Sequence, residues 1–414
     1  MDAYIKWRNS LVNKNKSEIA RWEDLKWLSD YTAAEAQESR NLLTQNLEGN
    51  WLFKETKPYN NQISKGCKLC GLGQWSCLFI SGKCNAACFY CPTSQLTDDP
   101  PTTQNLTFPD AKAYAEYINH FNFKGVSFSG GEPLLFFDRT LEYLKQIRKR
   151  CNPDIYVWVY TNGILGDERK YRKLAAAGLN EIRFDIGATA YKLDKVRMAK
   201  NIIPNITVEV PAVPEEKERL KALLPQLTEA GVTNLNLHQL RLTKHNFSQL
   251  AKRNYTYIFA EHPLVVESEL TALEILKYSR EQKFPIGVNY CSFFFKNRFQ
   301  KAGFRTRLAS VLAGTDDFIT QNGYIREYDG ENIAYKALRI FDEKPDGLKV
   351  EEFDLAGKTL YFARETAMRS TYLDKGYRDK IEKLIANEPE TIPDDPLLFR
   401  IWQLEYIEKG LREY

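Results

Sequence analysis

The stretch Ser81-Gly82-Lys83-Cys84-Asn85-Ala86-Ala87-Cys88-Phe89-Tyr90-Cys91-Pro92 is the most informative part of this sequence. It places three thiols within eight residues in the spacing Cys-x3-Cys-x2-Cys, and an aromatic residue directly precedes the last thiol. The segment just before it, 75–80, has the composition of a short β-strand. The sequence therefore predicts a cysteine loop that follows the first strand of a sheet.

Strand-like and helical segments alternate after this loop. The strand-like segments are 75–80, 125–129, 155–160, 181–186, 206–210 and 233–238. Strands that alternate with crossover helices form a parallel sheet with right-handed connections, and six such units fit an incomplete barrel better than a closed eightfold barrel. The predicted fold class is α/β: a partial (β/α)6 barrel with an N-terminal cysteine-containing extension and a mixed α+β C-terminal domain.

We expect four regions along the 414 residues. Residues 1–76 form the N-terminal extension that contributes metal-binding cysteines, and residues 77–245 form the barrel core. Residues 246–304 form a connecting segment that contains Cys291, and residues 305–414 form the C-terminal domain. Polar residues that follow the strands are expected to meet at one end of the barrel, where the chemistry of such folds takes place.

Composition excludes several classes of partner. The net charge is only +4, so a nucleic-acid partner is not indicated. No apolar stretch is long enough to span a membrane, and the first residues lack the apolar core of a signal peptide. These features predict a cytoplasmic protein, in which eight cysteines are more typical of metal ligands or buried thiols than of disulfides.

The spacing of the three thiols suits an iron–sulfur cluster. Thiolates are the usual ligands of such clusters, and Cys84, Cys88 and Cys91 would bind three irons of a cubane. The fourth iron then has an open position, which the amino and carboxylate groups of a methionine moiety can chelate. An electron from the cluster can cleave the adjacent sulfonium–carbon bond. The alternatives are a structural zinc knuckle and unrelated buried thiols.

The loop, with Tyr90 before its last cysteine, resembles the signature of the radical S-adenosylmethionine (radical SAM) superfamily. The segment Ser129-Gly130-Gly131-Glu132-Pro133 after the second strand strengthens the resemblance. It implies a 4Fe-4S cluster on Cys84, Cys88 and Cys91, with the amino group of SAM bound at Gly130, Gly131 and Glu132. Taken alone, the latter segment would be an ordinary turn.

Further polar residues end the later strands and are candidates for cofactor binding. They are Thr161 and Asn162 after the third strand, Asp185 after the fourth, Glu209 on the fifth, and His238 and Gln239 after the sixth. The Asp185 carboxylate is suited to ribose hydroxyls, and Gln239 would lie near the adenine edge. For each residue the alternative is a structural polar group with partners inside the protein.

A second group of cysteines predicts another metal site. Cys67 and Cys70 form a compact Cys-x2-Cys, Cys77 follows shortly after, and Cys291 is the best candidate for a fourth ligand. Four cysteines suit tetrahedral zinc or a single iron. The alternative is four free thiols, as we expect for Cys151.

Chain length, the position of these cysteines and the segment 288–296 resemble the methanogenesis marker protein ten family. The resemblance implies a cobalamin-dependent radical SAM methyltransferase. Its substrate would be C5 of an arginine in the alpha subunit of methyl-coenzyme M reductase, its methyl donor methylcobalamin, and its electron source a one-electron reductant.

The sequence lacks the usual Asp-x-His-x-x-Gly cobalamin loop, and no histidine follows His262. If cobalamin binds, we expect it in the C-terminal domain without a histidine ligand, packed on segments such as 318–328 and Tyr361-Phe362. The main alternative is a cobalamin-independent radical SAM enzyme that modifies or activates a peptide. A non-catalytic iron–sulfur carrier is a third possibility, although a carrier has no use for an open iron.

Overall fold

The structure is a computed structural model that describes residues 2–19, 21–45, 47, 49–371 and 375–414. Within them the chain forms one large mixed sheet, a separate antiparallel sheet of five strands and a small sheet of three strands. No described helix is long and apolar enough to cross a membrane.

The N-terminal region is mainly helical and adds strands to the large sheet. Its elements are α1 (Asp2–Glu18), β1 (Lys26–Trp27), α2 (Asp30–Thr44), β2 (Trp51–Leu52), β3 (Lys57–Asn60) and α3 (Lys65–Gly71). The Ser29 side chain accepts a hydrogen bond from Thr32 N, and the Ser64 side chain accepts one from Cys67 N. These side-chain caps determine where α2 and α3 begin.

The next region alternates strands and helices. Its elements are β4 (Trp75–Phe79), β5 (Thr102–Thr103), β6 (Leu106–Thr107), α4 (Ala111–His120), β7 (Gly125–Ser129), α5 (Phe137–Arg150), β8 (Tyr156–Thr161), α6 (Glu168–Ala176), β9 (Glu181–Phe184), α7 (Asp194–Ala199), β10 (Asn205–Pro211), α8 (Lys217–Glu229) and β11 (Asn234–His238). The helices bury apolar stripes in the core; in α8 the stripe is Leu220, Leu223, Leu224 and Leu227.

The segment predicted as a connection contributes a seventh parallel strand. Its elements are α9 (Phe247–Leu250), β12 (Thr256–Ile258), β13 (Leu264–Val265), α10 (Val266–Glu281), β14 (Gly287–Cys291), α11 (Phe293–Phe295) and α12 (Lys301–Leu312), with a π-helical turn at Lys296–Gln300. β14 pairs parallel with β11 and antiparallel with β3. The order of the large sheet is β2-β3-β14-β11-β10-β9-β8-β7-β4-β5-β6. Its edge strands β2 and β6 do not pair with each other in the described part of the chain, so the barrel is open.

The C-terminal region forms an antiparallel sheet with two helices. Its elements are β15 (Phe318–Ile319), β16 (Ile325–Asp329), β17 (Asn332–Phe341), β18 (Val350–Leu355), β19 (Lys358–Thr371), α13 (Lys375–Ala386) and α14 (Pro396–Glu405). On one face Tyr335 packs with α1, α13 and α14, and on the other Leu338 joins the main core beside α12. The predicted α/β fold with an additional C-terminal sheet is confirmed, with seven parallel strands in place of six.

Alternate side chains of the parallel strands point into the barrel, and many are polar. They include Ser127, Glu181, Arg183, Thr207, Glu209 and Asn236. Arg183 forms ion pairs of 2.9 Å with both Glu181 and Glu209. At one end of the barrel, Leu69 of α3 packs against Trp158. The interior is therefore polar, filled at one end and accessible from the carboxyl ends of the strands.

A buried ion pair attaches the N-terminal region to the barrel. Arg40 on α2 lies 3.0 Å from Glu269 on α10, and both side chains are at most 4% exposed. The hydroxyls of Tyr290 and Tyr414 donate to the same carboxylate at 2.8 and 2.7 Å. Arg40 is therefore the cation paired with this carboxylate.

Replacing Arg40 with methionine leaves the Glu269 carboxylate buried without its cation. We expect the free energy of unfolding, measured by urea denaturation, to fall by about 3–5 kcal/mol. The matched control is Lys277→Met, which breaks the exposed pair with Glu281 and should cost less than about 1 kcal/mol. Equal losses in the two variants would contradict the role assigned to the buried pair.

Candidate active site

A large cavity opens at the carboxyl ends of the parallel strands. Its volume is 1320 Å³, which exceeds the roughly 300–1,000 Å³ of a pocket for one small molecule. Its wall comprises the cysteine loop, the ends of the parallel strands, and residues between Phe293 and Arg305. Because the reactive centres of α/β barrels lie at this end, the cavity is the candidate active site.

The loop between β4 and β5 carries Cys84, Cys88 and Cys91, all half-buried and all in the cavity wall. The Cys84 sulfur accepts hydrogen bonds from Ala86 N at 3.4 Å and from Asn162 Nδ2 at 3.6 Å. Burial raises the pKa of the Cys88 thiol to about 12, so metal binding has to supply its thiolate form. Hydrogen bonds to sulfur are typical of iron–sulfur ligands, and the three thiols fit a cluster in which each binds a different iron.

Tyr90 and Asp185 form a hydrogen-bonded pair beside this loop. The Tyr90 hydroxyl donates to the Asp185 carboxylate, at 2.9 and 3.0 Å from its two oxygens. Gly187 N donates to the same carboxylate at 3.1 Å, and burial raises the pKa of Asp185 to about 6. Both side chains line the cavity. The carboxylate predicted to bind ribose is therefore already engaged by Tyr90.

Gly130 and Gly131 bring the end of β7 against the cysteine loop. A Cβ on Gly131 would lie 2.0 Å from Lys83 O, and one on Gly130 would lie 2.3 Å from Ser81 O. Gly130 also has a φ of 127°, which favours glycine. Gly131 N donates to Ser81 O at 2.7 Å, and Glu132 N donates to Lys83 O at 3.0 Å. The glycines, predicted to allow close approach of a ligand, thus also position the cysteine loop.

The Glu132 carboxylate joins the ends of β7 and β8. It is 1% exposed and accepts hydrogen bonds from Leu134 N at 2.8 Å, Thr161 Oγ1 at 2.8 Å and Asn162 N at 2.7 Å. Among the described residues that line the cavity, both glycines are present and Glu132 is absent. The Glu132 carboxylate thus faces the protein and the glycine backbone faces the cavity, and binding of the amino group of SAM by Glu132 stays a prediction.

The other predicted cofactor-binding residues, Thr161, Asn162 and Gln239, also line the cavity. Asn162 Nδ2 donates to Asn85 Oδ1 at 2.8 Å, in addition to its contact with the cysteine loop. Gln239 is buried, and its Oε1 accepts from Phe293 N at 3.3 Å. These residues are brought to one place, although each already has a partner within the chain.

Cys67, Cys70 and Cys291 lie in the same cavity wall. The Cys67 sulfur accepts from Asn236 Nδ2 at 3.3 Å, and the Cys70 sulfur accepts from Gln300 Nε2 at 2.6 Å. Burial, followed by the nearby sulfurs of Cys291 and Cys67, raises the pKa of Cys70. These three thiols are therefore neighbours, as the second predicted metal site requires.

Cys77 has different neighbours. Because β4 pairs with β7, Cys77 stands opposite Ser127, and its thiol interacts with Ser127 and Ser129. No three described Cys, His, Asp or Glu side chains lie closely enough together to hold one metal ion. The predicted four-cysteine site is therefore not preformed in this structure.

The cations of the cavity wall that were not found from the sequence include Lys57, Arg183, Arg241 and Lys296. The charge alternation from Glu181 to Asp185 on a buried strand signals Arg183, but nothing comparable marks the other three. Lys296 belongs to a chain of polar contacts. His238 Nε2 lies 2.7 Å from Glu209 Oε1, and His238 Nδ1 lies 3.0 Å from Lys296 Nζ.

The aromatic segments predicted to pack on a corrin ring lie elsewhere. No described residue after Arg305 lines the cavity. Arg326 stacks on Phe318 at 3.9 Å from the ring centre, and the buried Phe362 packs against Phe353. The C-terminal sheet therefore does not line this cavity in the described part of the chain, and its binding of cobalamin stays a prediction.

Residues 78–234, which carry the cysteine loop and the strands that surround the cavity, match the family model of the Radical SAM superfamily. This region therefore resembles a radical SAM domain. Such a domain implies a 4Fe-4S cluster and SAM. In this chain the three-cysteine loop has the donor set for the cluster, and the glycine backbone beside it faces the space for SAM.

Two proteins of Methanocaldococcus jannaschii are similar in sequence. The chain is 27% identical over 299 residues to one named "Putative glycyl-radical enzyme activating enzyme", covering 69% of this chain and 76% of that protein. It is 35% identical over 107 residues to one named "Probable GTP 3',8-cyclase", covering 26% of this chain and 34% of that protein.

Two solved structures are also similar. The radical S-adenosylmethionine methyltransferase TsrM from Kitasatospora setae, with cobalamin and a 4Fe-4S cluster bound, gives a TM-score of 0.31 at 15% identity, covering 42% of this chain and 36% of that one. Streptococcus suis SuiB, bound to its precursor peptide SuiA, gives a TM-score of 0.37 at 13% identity, covering 60% of this chain and 57% of that one. The chain covers less than two thirds of either solved chain.

Replacing Glu132 with alanine removes the acceptor of three buried hydrogen bonds. We expect the free energy of unfolding of the cluster-free chain to fall by about 2–4 kcal/mol in urea denaturation. The control Glu168→Ala loses only an exposed pair with Arg172 and should change stability by less than about 1 kcal/mol. Unchanged stability of the Glu132 variant, with weaker SAM binding, would instead support a direct ligand contact.

Proposed function

We propose that this chain is a cobalamin-dependent radical SAM methyltransferase that methylates C5 of an arginine side chain in the methyl-coenzyme M reductase alpha subunit. One observation carries the radical part of the proposal: the cavity is continuous from the three-cysteine loop to the interior of the barrel. The space for SAM and the space for a second cofactor and a substrate are therefore connected. The methyl transfer and the arginine substrate rest on the resemblance to methanogenesis marker protein ten.

In this proposal Cys84, Cys88 and Cys91 hold the cluster, and the backbone of Gly130 and Gly131 faces SAM. A 4Fe-4S cluster bound there would supply the electron that cleaves SAM reductively, after its own reduction by a one-electron donor. Asn162 holds the loop through the Cys84 sulfur.

Cobalamin, when bound, supplies the methyl group. Phe293 and Phe295 give the cavity an apolar wall on the side of β14, suited to a corrin ring. His238 is the histidine among the described wall residues, and both of its nitrogens are engaged, by Glu209 and by Lys296. With both nitrogens engaged, His238 would not be free to bind a metal ion in this arrangement.

A second candidate is a cobalamin-independent radical SAM enzyme that modifies or activates a peptide. Similarity to the M. jannaschii protein whose name refers to activation of a glycyl-radical enzyme favours it. The shortage of free negative charge in the cavity wall also favours this second candidate. The acidic wall residues, Asp185 and Glu209, are engaged by other side chains, so little negative charge remains for a cationic arginine.

The two candidates differ in their products. Reconstituted enzyme is incubated without oxygen with SAM, a strong reductant, methylcobalamin and an arginine-containing peptide of the reductase alpha subunit, and the peptide is analysed by mass spectrometry. One added methyl on the arginine carbon chain supports methylation. Release of 5′-deoxyadenosine without a methylated peptide or a retained corrinoid supports the second candidate. Failure to cleave SAM excludes both and indicates an iron–sulfur carrier.

Replacing Cys84, Cys88 or Cys91 with alanine removes one cluster ligand. We expect each variant to lose cluster iron and to cleave SAM about 100-fold more slowly or worse, since the open iron needs three protein ligands. Iron analysis, visible absorbance and 5′-deoxyadenosine release measure the effect. The control Cys151→Ala removes a buried thiol that donates to Ala115 O and should keep its iron. A loop variant with full iron content would contradict the assignment.

Binding of a second iron or zinc ion by Cys67, Cys70, Cys77 and Cys291 is also proposed. Cys67→Ala should then lose one metal ion per chain in elemental analysis and retain the 4Fe-4S absorbance. Metal content unchanged from that of the Cys151→Ala control would exclude the second site.

A further inference from the structure

The cavity wall carries more positive than negative charge. Its basic residues are Lys57, Arg183, Arg241, Lys296, Lys301 and Arg305, and its acidic residues are Asp185 and Glu209. Asp185 is engaged by Tyr90, and Glu209 by Arg183 and His238. Arg183 is paired with Glu209 and with Glu181, and Lys301 lies 3.8 Å from Glu261. Lys57, Arg241 and Lys296 form no ion pair with a carboxylate among the described residues.

Lys57 is the clearest case of an unbalanced charge. It is 1% exposed, and the structure gives its ammonium no hydrogen-bond or ion-pair partner among the described residues. Its Nζ lies 4.7 Å from the centre of the Phe295 ring, and the thiols of Cys67, Cys70 and Cys291 are nearby. A buried, unpaired ammonium is costly, so its retention in the wall of a cavity points to a ligand.

Lys296 has a partner that carries no charge. Burial lowers the pKa of His238 to about 4, so its imidazole is neutral. The Nε2–H group then donates to Glu209, and Nδ1 accepts from Lys296 at 3.0 Å. The Lys296 ammonium uses one of its three N–H donors in this way. Two donors remain for another group.

The fold brings Lys57 and Lys296 to the same part of the cavity. Lys57 begins β3, which pairs with β14, and Lys296 begins the π-helical turn that follows β14. Burial lowers the pKa of Lys296, and the charges of Arg241 and Lys57 lower it further, against the opposing effects of Cys291 and Glu209. The two lysines are therefore electrostatic neighbours that repel each other in the empty cavity.

We propose that Lys57 and Lys296 form a binding subsite for an oxyanion, a carboxylate or phosphate group on a ligand of this cavity. Lysine binds such groups as a point charge, and these two lysines leave several N–H donors free. The inference rests on the proposed function only in taking this cavity as the active site. The oxyanion belongs either to an acidic group of the peptide substrate or to a phosphate ester of a cofactor.

Calorimetric titration of the reconstituted full-length protein, at constant ionic strength, tests the subsite with two probes: inorganic phosphate and N-acetylglutamate amide. We expect saturable binding of at least one probe, and affinity about tenfold lower or worse in Lys57→Met and in Lys296→Met. The matched control is Lys301→Met, because Lys301 lines the same cavity but is 54% exposed and lies 3.8 Å from Glu261. Preference for phosphate assigns a phosphate ester, and preference for the glutamate probe assigns an acidic peptide group.

A stability measurement separates ligand binding from a structural role. Methionine fills the space of Lys57 without its charge, so the Tm of ligand-free Lys57→Met should rise by about 1–4 °C; a structural lysine would give a lower Tm. Binding of neither probe, or equal binding by wild type and both lysine variants, would overturn the proposal. So would loss of metal from Lys57→Met with unchanged anion affinity, because Lys57 would then neutralise a thiolate site. Neither readout requires SAM cleavage, so this subsite and the proposed function can fail separately.

Discussion

The buried guanidinium of Arg183 is the interaction on which the barrel interior depends. It is 3% exposed, forms ion pairs of 2.9 Å with Glu181 and Glu209, and donates to Ser64 Oγ at 2.9 Å. Arginine does not lose its proton in a protein, so these partners have to stay in place. Gly66 fits here because a Cβ would lie 2.3 Å from the guanidinium. The Arg183 guanidinium thus connects β9, β10 and the start of α3 around a polar interior. The cavity is the part of that interior that no side chain fills.

Local patterns predicted most of the central sheet, because each strand and helix of the barrel carries its own apolar periodicity. The contribution of β14 was harder to predict, since Gly287–Cys291 is short and follows an irregular segment. Its partner β3 is distant in sequence and lies in a polar region. Membership of a sheet is decided by pairing across such distances. The pairing of β14 with β11, as a seventh parallel strand, and with β3 therefore appears only in the three-dimensional structure.

The candidate site, like the sheet, was predictable from the sequence where local spacing decides it and not where distant residues do. Cys84, Cys88 and Cys91 were predictable because one short loop sets their spacing. The direction of the Glu132 side chain was not, because it depends on donors at the end of the neighbouring strand, Thr161 and Asn162. Cys77 was grouped with Cys67 and Cys70 by proximity in sequence, whereas the pairing of β4 with β7 places it beside Ser127.

The cavity therefore has two parts of different origin. The part beside the cysteine loop comes from the region that matches the radical SAM family, residues 78–234. Lys57, Cys291 and Lys296 come from outside that region and line the other part. Chemistry that generates a radical can be shared by many enzymes, but the radical reacts with whatever group is held next to it. In the proposed function, the identity of that group depends in part on β3, β14 and the turn after β14, which lie outside the matched region.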